Sequence, residues 1–153
     1  MELSTTDSLA NIDYVRKKVV EVYGELNLLA SLTFIQAILE ADLRRPLPSL
    51  LAFRYNNLFG IKGEGSNGTV SLPTKEFIKG KMITVDQNFA VNRSVKDSIE
   101  HHKRLLEKPR YAKLHNCKTF EEIANAVYKA GYATDPQYPQ KLIDLYNKYL
   151  RRH

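Results

Sequence analysis

Apolar residues recur at steps of three and four near the start of the chain, between Ser8 and Leu26. This spacing predicts an amphipathic helix. Its apolar face consists of Ile12, Val15, Val19 and Val22. From Leu28 to Leu39 apolar side chains stand on nearly every side, which is typical of a buried helix. We expect this second helix to end near Arg44 and Arg45, because Pro46 disfavours helical geometry in the residue before it.

The pattern changes in the middle of the chain, after a short turn or helix expected over residues 47–53. Residues 60–68 are rich in glycine, and two runs of alternating apolar and polar residues follow. The runs are separated by Lys79-Gly80-Lys81, which turns the chain. This stretch predicts a β-hairpin or small sheet.

The helical period then returns, and it predicts three further helices over residues 94–107, 119–129 and 135–149. Ser94 and Thr119 stand where residues that cap helix N-termini belong. The whole pattern predicts an α+β fold that is mostly helical, with one small β insertion.

The composition supports one domain over residues 1–153, since 43% hydrophobic side chains in 153 residues supply a substantial core. The single cysteine, Cys117, cannot form an internal disulfide. The longest uncharged stretch, Leu26–Leu39, has 14 residues, whereas a membrane span needs about 20. We therefore expect no membrane insertion.

A formal charge of +6 favours polyanionic partners, including nucleic acid and phosphate-bearing wall polymers, without selecting one.

Glu40 is the first charged residue after this uncharged stretch, in the last turn of the buried helix. Partial burial and the negative end of the helix dipole both disfavour a charged carboxylate there, so both raise its pKa. A carboxyl group that stays protonated near neutral pH is what general-acid catalysis requires, and glycoside hydrolysis often uses one. The alternative is a helix-end glutamate that pairs with Arg44 one turn later.

Other groups of polar residues are weaker candidates for a metal or catalytic site. His101 and His102 lack the HExxH spacing of a zinc site, and one cysteine cannot build a thiolate cluster. Cys117 lies two residues from His115, but no third group is placed to orient that base. We therefore expect no metal and no cofactor. Positive charge is the only feature that favours nucleic acid, and no recognition motif accompanies it. We therefore do not expect nucleic acid as the partner.

Short sequence blocks carry a family resemblance. Those that bear on the site are Gln-Ala-Ile-Leu-Glu at 36–40, Asn-Asn-Leu-Phe-Gly-Ile-Lys at 56–62, Thr-Lys-Glu-Phe at 74–77, and Ala-Gly-Tyr-Ala-Thr-Asp-Pro-Gln-Tyr at 130–138. In this order, and over residues 30–150, the chain resembles the peptidoglycan glucosaminidases of glycoside hydrolase family 73. That family includes autolysins and the wall-cutting domains of flagellar-assembly proteins.

The resemblance implies a lysozyme-like fold, in which a helical lobe and a small β-hairpin lobe flank a glycan cleft. It implies that Glu40 is the general acid and that Glu76 is the second carboxylate, on the β lobe. It also makes Tyr132 the active-site tyrosine that lines the cleft. The second step stays open: Glu76 either activates water or positions the substrate, whose own acetamido group then attacks.

Three more residues are predicted to bind the substrate. Asn57 and Phe59 fall in the loop beside the acid, where bracing of the loop and core packing are an equal alternative. Tyr138 is a candidate for stacking on a sugar, because the chain contains no tryptophan.

The function implied is that of a monomeric hydrolase that cuts the β-1,4 bond between N-acetylglucosamine and N-acetylmuramic acid in bacterial peptidoglycan. A muramidase of the same fold and a non-catalytic glycan-binding module of a phage or wall machine are the alternatives. Residues 1–15 carry no secretory signal. We therefore expect delivery to the wall by a phage, or a catalytic domain excised from a secreted protein.

Overall fold

The computed structural model describes residues 2–151, which form six α-helices, one 3-10 helix and a two-stranded antiparallel sheet. In chain order the elements are α1 (Ser8–Tyr23), α2 (Leu28–Glu40), α3 (Leu50–Tyr55), β1 (Thr69–Ile78), β2 (Lys81–Ala90), α4 (Val95–Leu106), the 3-10 helix (Pro109–Asn116), α5 (Phe120–Lys129) and α6 (Tyr138–Tyr149). The predicted α+β architecture, with one β insertion among helices, is confirmed. The 3-10 helix is the element that the sequence pattern did not predict.

Helix α2 is the centre of the helical lobe. It contacts α1, α4, α5 and α6, and every residue from Ala30 to Ile38 is buried. A helix that is apolar on all sides needs partners on all sides, so the other helices assemble around it. Within the part of the chain that the structure describes, no helix has both the length and the apolar character needed to cross a bilayer.

The predicted end of this helix near Arg44 and Arg45 was wrong, because α2 ends at Glu40. Asp42 adopts a left-handed conformation with φ 54°, and the amide of Leu43 donates to the carbonyl of Ile38. This turn carries the Leu43 side chain into the core, where it is fully buried. Burial of Leu43, rather than Pro46, therefore decides where the helix ends.

The hairpin is anchored at its base and exposed at its tip. β1 and β2 pair from Thr69 with Ala90 at the base to Ile78 with Lys81 at the tip. Ala90 at the base is fully buried, whereas Phe77 near the tip is 70% exposed. Lys79 and Gly80 form a two-residue turn with positive φ, the geometry that tight hairpins favour. Alternate residues of β1 are half-buried, so the hairpin has one inward face.

Helix caps fix the start of α4 and α5 as predicted. Ser94 accepts a hydrogen bond from the amide of Asp97, and Thr119 accepts one from the amide of Glu122. The side chain of Asp97 accepts instead from the hydroxyl of Ser66, at 2.7 Å. The start of α4 therefore also holds the glycine-rich loop that precedes the hairpin.

The glycine-rich loop passes very close to the segment that follows β2. A Cβ atom at Gly65 would lie 2.3 Å from the carbonyl oxygen of Val91 and 2.6 Å from Oδ1 of Asn92. Asn92 is buried and bonds the backbone of Asn56 and Ser66. Glycine at position 65 is therefore required by space.

We expect Gly65→Ala to lower the free energy of unfolding by about 1–3 kcal/mol, the usual cost of overpacking a tight site. The neighbouring Glu64 is exposed, so Glu64→Ala serves as the matched control and should leave stability within about 0.5 kcal/mol. Urea titration followed by circular dichroism measures both. Equal stability of the two variants would contradict the close approach.

Candidate active site

Glu40 stands between the two lobes and lines two cavities. One, of about 330 Å³, lies toward the hairpin, and the other, of about 450 Å³, lies toward the α5–α6 loop. The first is lined also by Leu50, Gly60, Leu72 and Thr74, among others. The second is lined also by Ala133, Asp135, Tyr138 and Lys141, among others. The end of α2 thus presents its carboxyl group to a cleft between the lobes.

The environment of Glu40 favours its protonated form. Burial is the largest influence and raises the pKa of the carboxyl group above its ordinary value. A hydrogen bond with Tyr138 lowers it in part, Asp42 raises it, and Lys141 lowers it slightly. The alternative pairing with Arg44 is not formed among the described residues, because α2 has already ended and the chain has turned at Asp42.

Tyr138 is the first residue of α6 and supports the acid. Its hydroxyl accepts a hydrogen bond from Nε2 of Gln36 at 3.0 Å, and Tyr138 lines the same cavity as Glu40. Burial, followed by the charge of Glu40, raises the pKa of this phenol, which therefore remains a donor. Only 3% of Tyr138 is exposed. It contacts the acid through its hydroxyl and has no open ring face for a sugar.

Tyr132 is brought to the same place by the end of α5. Gly131 has φ 92° and reverses the chain, and the Tyr132 amide then donates to the carbonyl of Val127. The Tyr132 ring lies 6.0 Å from that of Tyr138, centroid to centroid. Burial, then Tyr138 and Glu40, raise the pKa of the Tyr132 hydroxyl. Tyr132 therefore packs beside Tyr138, but it is not among the residues that line the two cavities of Glu40, and its role in the site stays a prediction.

Glu76 lies on the inward face of the hairpin, further out than Glu40. Thr74 lines the cavity beside Glu40, and Glu76 is the next inward residue, about 6.6 Å along the strand at 3.3 Å per residue. Its Oε1 accepts from Nζ of Lys62 and from Nε2 of Gln87, each at 3.1 Å. Gln87 pairs with Leu72 near the base of the hairpin, so this hydrogen bond directs the carboxylate toward the base of the hairpin.

Asn57 and Phe59 are buried, with 1% and 4% of their surface exposed. Nδ2 of Asn57 donates to the carbonyls of Ile61 and Ala90, and its Oδ1 accepts from the amides of Phe59 and Ile61. The Phe59 ring stacks on His102 at 4.0 Å. Both residues therefore brace the loop beside the cleft, which is the alternative that the sequence left open.

Three polar residues of the site received no role from the sequence: Thr33, Gln36 and His102. All are buried, and both ring nitrogens of His102 are engaged, Nε2 with Oε1 of Gln36 at 2.8 Å and Nδ1 with Oγ1 of Thr33 at 3.3 Å. A signal was present, because residues 33, 36 and 40 are spaced three and four apart and form one polar stripe on an otherwise apolar helix.

A larger cavity, of about 970 Å³, lies elsewhere, between the 3-10 helix and α5. It includes Cys117 and Glu122 but neither Glu40 nor Glu76. Burial raises the pKa of the Cys117 thiol, which opposes formation of a nucleophilic thiolate. Among residues 2–151, no group of three or more His, Cys, Asp or Glu side chains is arranged to hold a metal ion.

A helical lobe and a hairpin lobe flank a cleft that holds one buried carboxyl group with a raised pKa and one ion-paired carboxyl group. This arrangement is typical of a lysozyme-like glycoside hydrolase. The family model described as mannosyl-glycoprotein endo-beta-N-acetylglucosaminidase matches residues 16–151. The chain therefore belongs to this glucosaminidase family, and the resemblance found in the sequence is confirmed.

Individual relatives agree with this assignment. The chain is 34% identical over 134 residues to the exo-glucosaminidase LytG of Bacillus subtilis. The aligned region covers 84% of this chain and 46% of that protein. It is 31% identical over 157 residues to a probable N-acetylmuramidase of Lactococcus lactis, covering 97% of the chain and 35% of that protein. The chain thus spans less than half the length of these curated relatives.

A solved structure supports the fold. The catalytic domain of the autolysin Auto from Listeria monocytogenes superposes with a TM-score of 0.78 at 29% identity, over 97% of this chain and 88% of that one. The lysozyme-like fold predicted from the resemblance is therefore confirmed.

The raised pKa of Glu40 predicts a pH-dependent effect on stability. A carboxyl group whose folded pKa exceeds its unfolded pKa binds more protons when folded, so stability falls as pH rises from the unfolded to the folded pKa. We expect Glu40→Gln, which cannot ionise, to become more stable relative to the wild type as pH rises through this window. Denaturant unfolding between pH 4 and 8 measures the difference. With the exposed Glu64→Gln as control, parallel curves for the wild type and Glu40→Gln would contradict the assignment.

Proposed function

We propose that this domain hydrolyses the β-1,4 bond between N-acetylglucosamine and N-acetylmuramic acid in bacterial peptidoglycan, with Glu40 as the general acid. The observation that carries the proposal is the position of Glu40, whose buried carboxyl group has a raised pKa and lines both cavities of the cleft. A protonated carboxyl group in that place can donate its proton to the leaving glycosidic oxygen.

The two carboxyl groups of the cleft differ in environment in the way that divided roles require. Glu40 is buried at the end of a helix, whereas Glu76 is half-exposed and paired with Lys62. The ion pair engages Oε1 of Glu76, and in the described chain no protein group bonds Oε2. The second oxygen is therefore available to a water molecule or to the substrate.

The role open to Glu76 depends on how far its carboxyl group lies from that of Glu40. Retaining enzymes that use such a nucleophile bring the two carboxyl groups to about 5–5.5 Å, and inverting enzymes keep them about 6.5–9.5 Å apart to admit water. Glu76 stands one inward residue beyond Thr74, which itself lines the cavity of Glu40. We propose two routes for the second step: Glu76 activates water, or it positions the 2-acetamido group of the substrate for attack.

The relatives bear on the bond that is cut. One relative is named a glucosaminidase and another a probable N-acetylmuramidase, and these names correspond to opposite sides of each disaccharide. The glucosaminidase family model covers residues 16–151, so we favour cleavage after N-acetylglucosamine and keep a muramidase as the second candidate. Either activity takes place at the bacterial cell wall.

Replacing Glu40 by Gln keeps the size of the side chain and removes the transferable proton. We expect turbidity clearance of purified cell walls to fall by about 10²–10⁴, the usual contribution of general-acid catalysis. Glu64→Gln, which alters an exposed carboxylate of the glycine-rich loop, should clear walls at the wild-type rate. Activity retained by a folded Glu40→Gln protein would refute the proposed role.

Variants of Glu76 distinguish the two routes of the second step. If Glu76 activates water, Glu76→Gln should lose nearly as much activity as Glu40→Gln, and azide should restore turnover in Glu76→Ala by replacing the missing function. If the acetamido group attacks, the loss should be smaller and azide should have no effect. Initial rates with and without azide, on the same walls, decide between them.

The products identify the bond. A glucosaminidase leaves N-acetylglucosamine at the new reducing end, so borohydride reduction followed by acid hydrolysis and mass spectrometry should yield glucosaminitol. A muramidase would yield muramicitol, and a transglycosylase would leave anhydromuramyl ends. Either of these products would overturn the proposed cleavage site while leaving the role of Glu40 intact.

A further inference from the structure

A continuous line of buried polar side chains runs from the far side of the helical lobe to Glu40. The Tyr23 hydroxyl lies 2.9 Å from Oγ1 of Thr33, which lies 3.3 Å from Nδ1 of His102. The other nitrogen of His102 lies 2.8 Å from Oε1 of Gln36, whose Nε2 donates to the Tyr138 hydroxyl at 3.0 Å. Tyr138 and Glu40 line the same cavity, and the interaction of the Tyr138 hydroxyl with Glu40 lowers the pKa of that carboxyl group. The line crosses α1, α2, α4 and α6, so it is not an accident of local sequence.

The direction of each hydrogen bond follows from the chemistry of the groups. Gln36 offers its amide N–H to Tyr138 and its carbonyl oxygen to His102, so Nε2 of His102 must carry the proton. Burial lowers the pKa of His102 to about 3, so the ring is neutral and Nδ1 is an acceptor. Thr33 therefore donates to Nδ1, and Tyr23 donates to Thr33. Every hydrogen bond of the line then points toward Glu40.

We propose that His102 and Gln36 are positioning residues that orient the Tyr138 hydroxyl as a donor to Glu40 and so leave the proton of the acid facing the cleft. The proposal rests on the proposed function, since it assigns a purpose to Glu40 as the acid. Because the Tyr138 oxygen already accepts from Gln36, its own proton goes to the nearer oxygen of Glu40. The carboxyl proton is thereby held on the other oxygen, where a glycosidic oxygen can receive it.

Each buried polar side chain in this line lowers the stability of the fold unless it has a hydrogen-bond partner. Loss of one partner therefore affects the hydrogen bonds of its neighbours. Thr33, Gln36 and His102 are 0% exposed, and a buried polar group without a partner is unfavourable. If His102 does not donate to Gln36, the amide of Gln36 is free to rotate by 180°, and Tyr138 then donates to Gln36 instead of Glu40. His102 can therefore act on Glu40 without touching it.

Several other groups influence the pKa values of residues in or beside this line. Tyr132, Asp42 and Lys141 influence or are influenced by Glu40. His101 lies beside His102 and slightly lowers its pKa. The variants chosen to test the proposal leave all of these groups in place, so a shared shift in the pH profile reports on the line itself.

The first experiment compares pH profiles of kcat/KM on a soluble peptidoglycan fragment. Tyr138→Phe removes the donor, and His102→Leu removes the proton that orients Gln36. Because the hydrogen bond from Tyr138 lowers the pKa of Glu40, both variants should move the basic limb of the profile to higher pH and lower kcat about tenfold, the loss expected for one hydrogen bond to a charged group. His102→Gln, which can still donate to Gln36, should restore part of both effects.

Tyr146→Phe is the matched control, since it makes the same chemical change on the same helix, where the ring stacks on Phe120 instead of contacting the acid. It should leave the profile unchanged. A shift in Tyr138→Phe without one in His102→Leu would overturn the role of His102. If neither profile shifts while Glu40→Gln is inactive, the line has no function although the acid is correctly identified. An active Glu40→Gln would instead refute the proposed function.

Where His102→Leu fails to fold, Gln36→Glu provides the test. This isosteric change replaces the amide donor by a carboxylate, so Tyr138 donates to residue 36, and the same shift of the basic limb is expected. No shift in a folded Gln36→Glu protein would refute the proposal.

Nuclear magnetic resonance tests the direction of the line without activity. We expect the ¹⁵N shifts of His102 in the Glu40→Gln protein to show a neutral ring with the proton on Nε2 from pH 7 to pH 5. A proton on Nδ1 would reverse every hydrogen bond from Thr33 to Tyr138 and would overturn the proposal.

Discussion

A polar group buried in a protein core must find a hydrogen-bond partner, and in this domain that constraint governs the central helix. α2 is surrounded by four other helices, yet it carries Thr33, Gln36 and Glu40 along one side. Each of these groups is satisfied from another helix, by His102 on α4 or by Tyr138 on α6. The packing of the helices and the organisation of the cleft therefore depend on the same contacts.

Burial and ion pairing divide the carboxyl groups of the cleft. Glu40 emerges from the most buried helix at the point where Asp42 turns the chain, so it keeps enough burial to raise its pKa and enough access to reach the cleft. Glu76 stands on a hairpin held at its base and paired with Lys62. One fold thus supplies a buried carboxyl group with a raised pKa and an ion-paired carboxyl group, and glycoside hydrolysis uses two carboxyl groups in such different environments.

Side-chain hydrogen bonds to backbone groups hold the loops beside the cleft. Asn57 bonds four backbone groups from a buried position, and Asn56 and Asn92 each donate to the backbone carbonyl of the other. Gly131 reverses the chain so that Tyr132 lies beside Tyr138. Side chains that resemble a binding motif in the sequence are, in the structure, the supports that hold the binding surface in place.

The sequence by itself determined the helices, the hairpin and the place of Glu40 at the end of a buried helix, because hydrophobic period, turn residues and an isolated charge after an apolar run are local signals. It also identified the glucosaminidase family through blocks that keep their order along the chain. Only the tertiary structure decided that α2 ends at Glu40, because Leu43 is drawn into a core built by distant elements. It alone united His102 with Gln36, which lie 66 residues apart. Contacts over such separations depend on how helices pack, and no local pattern encodes the partner that a buried polar group will meet.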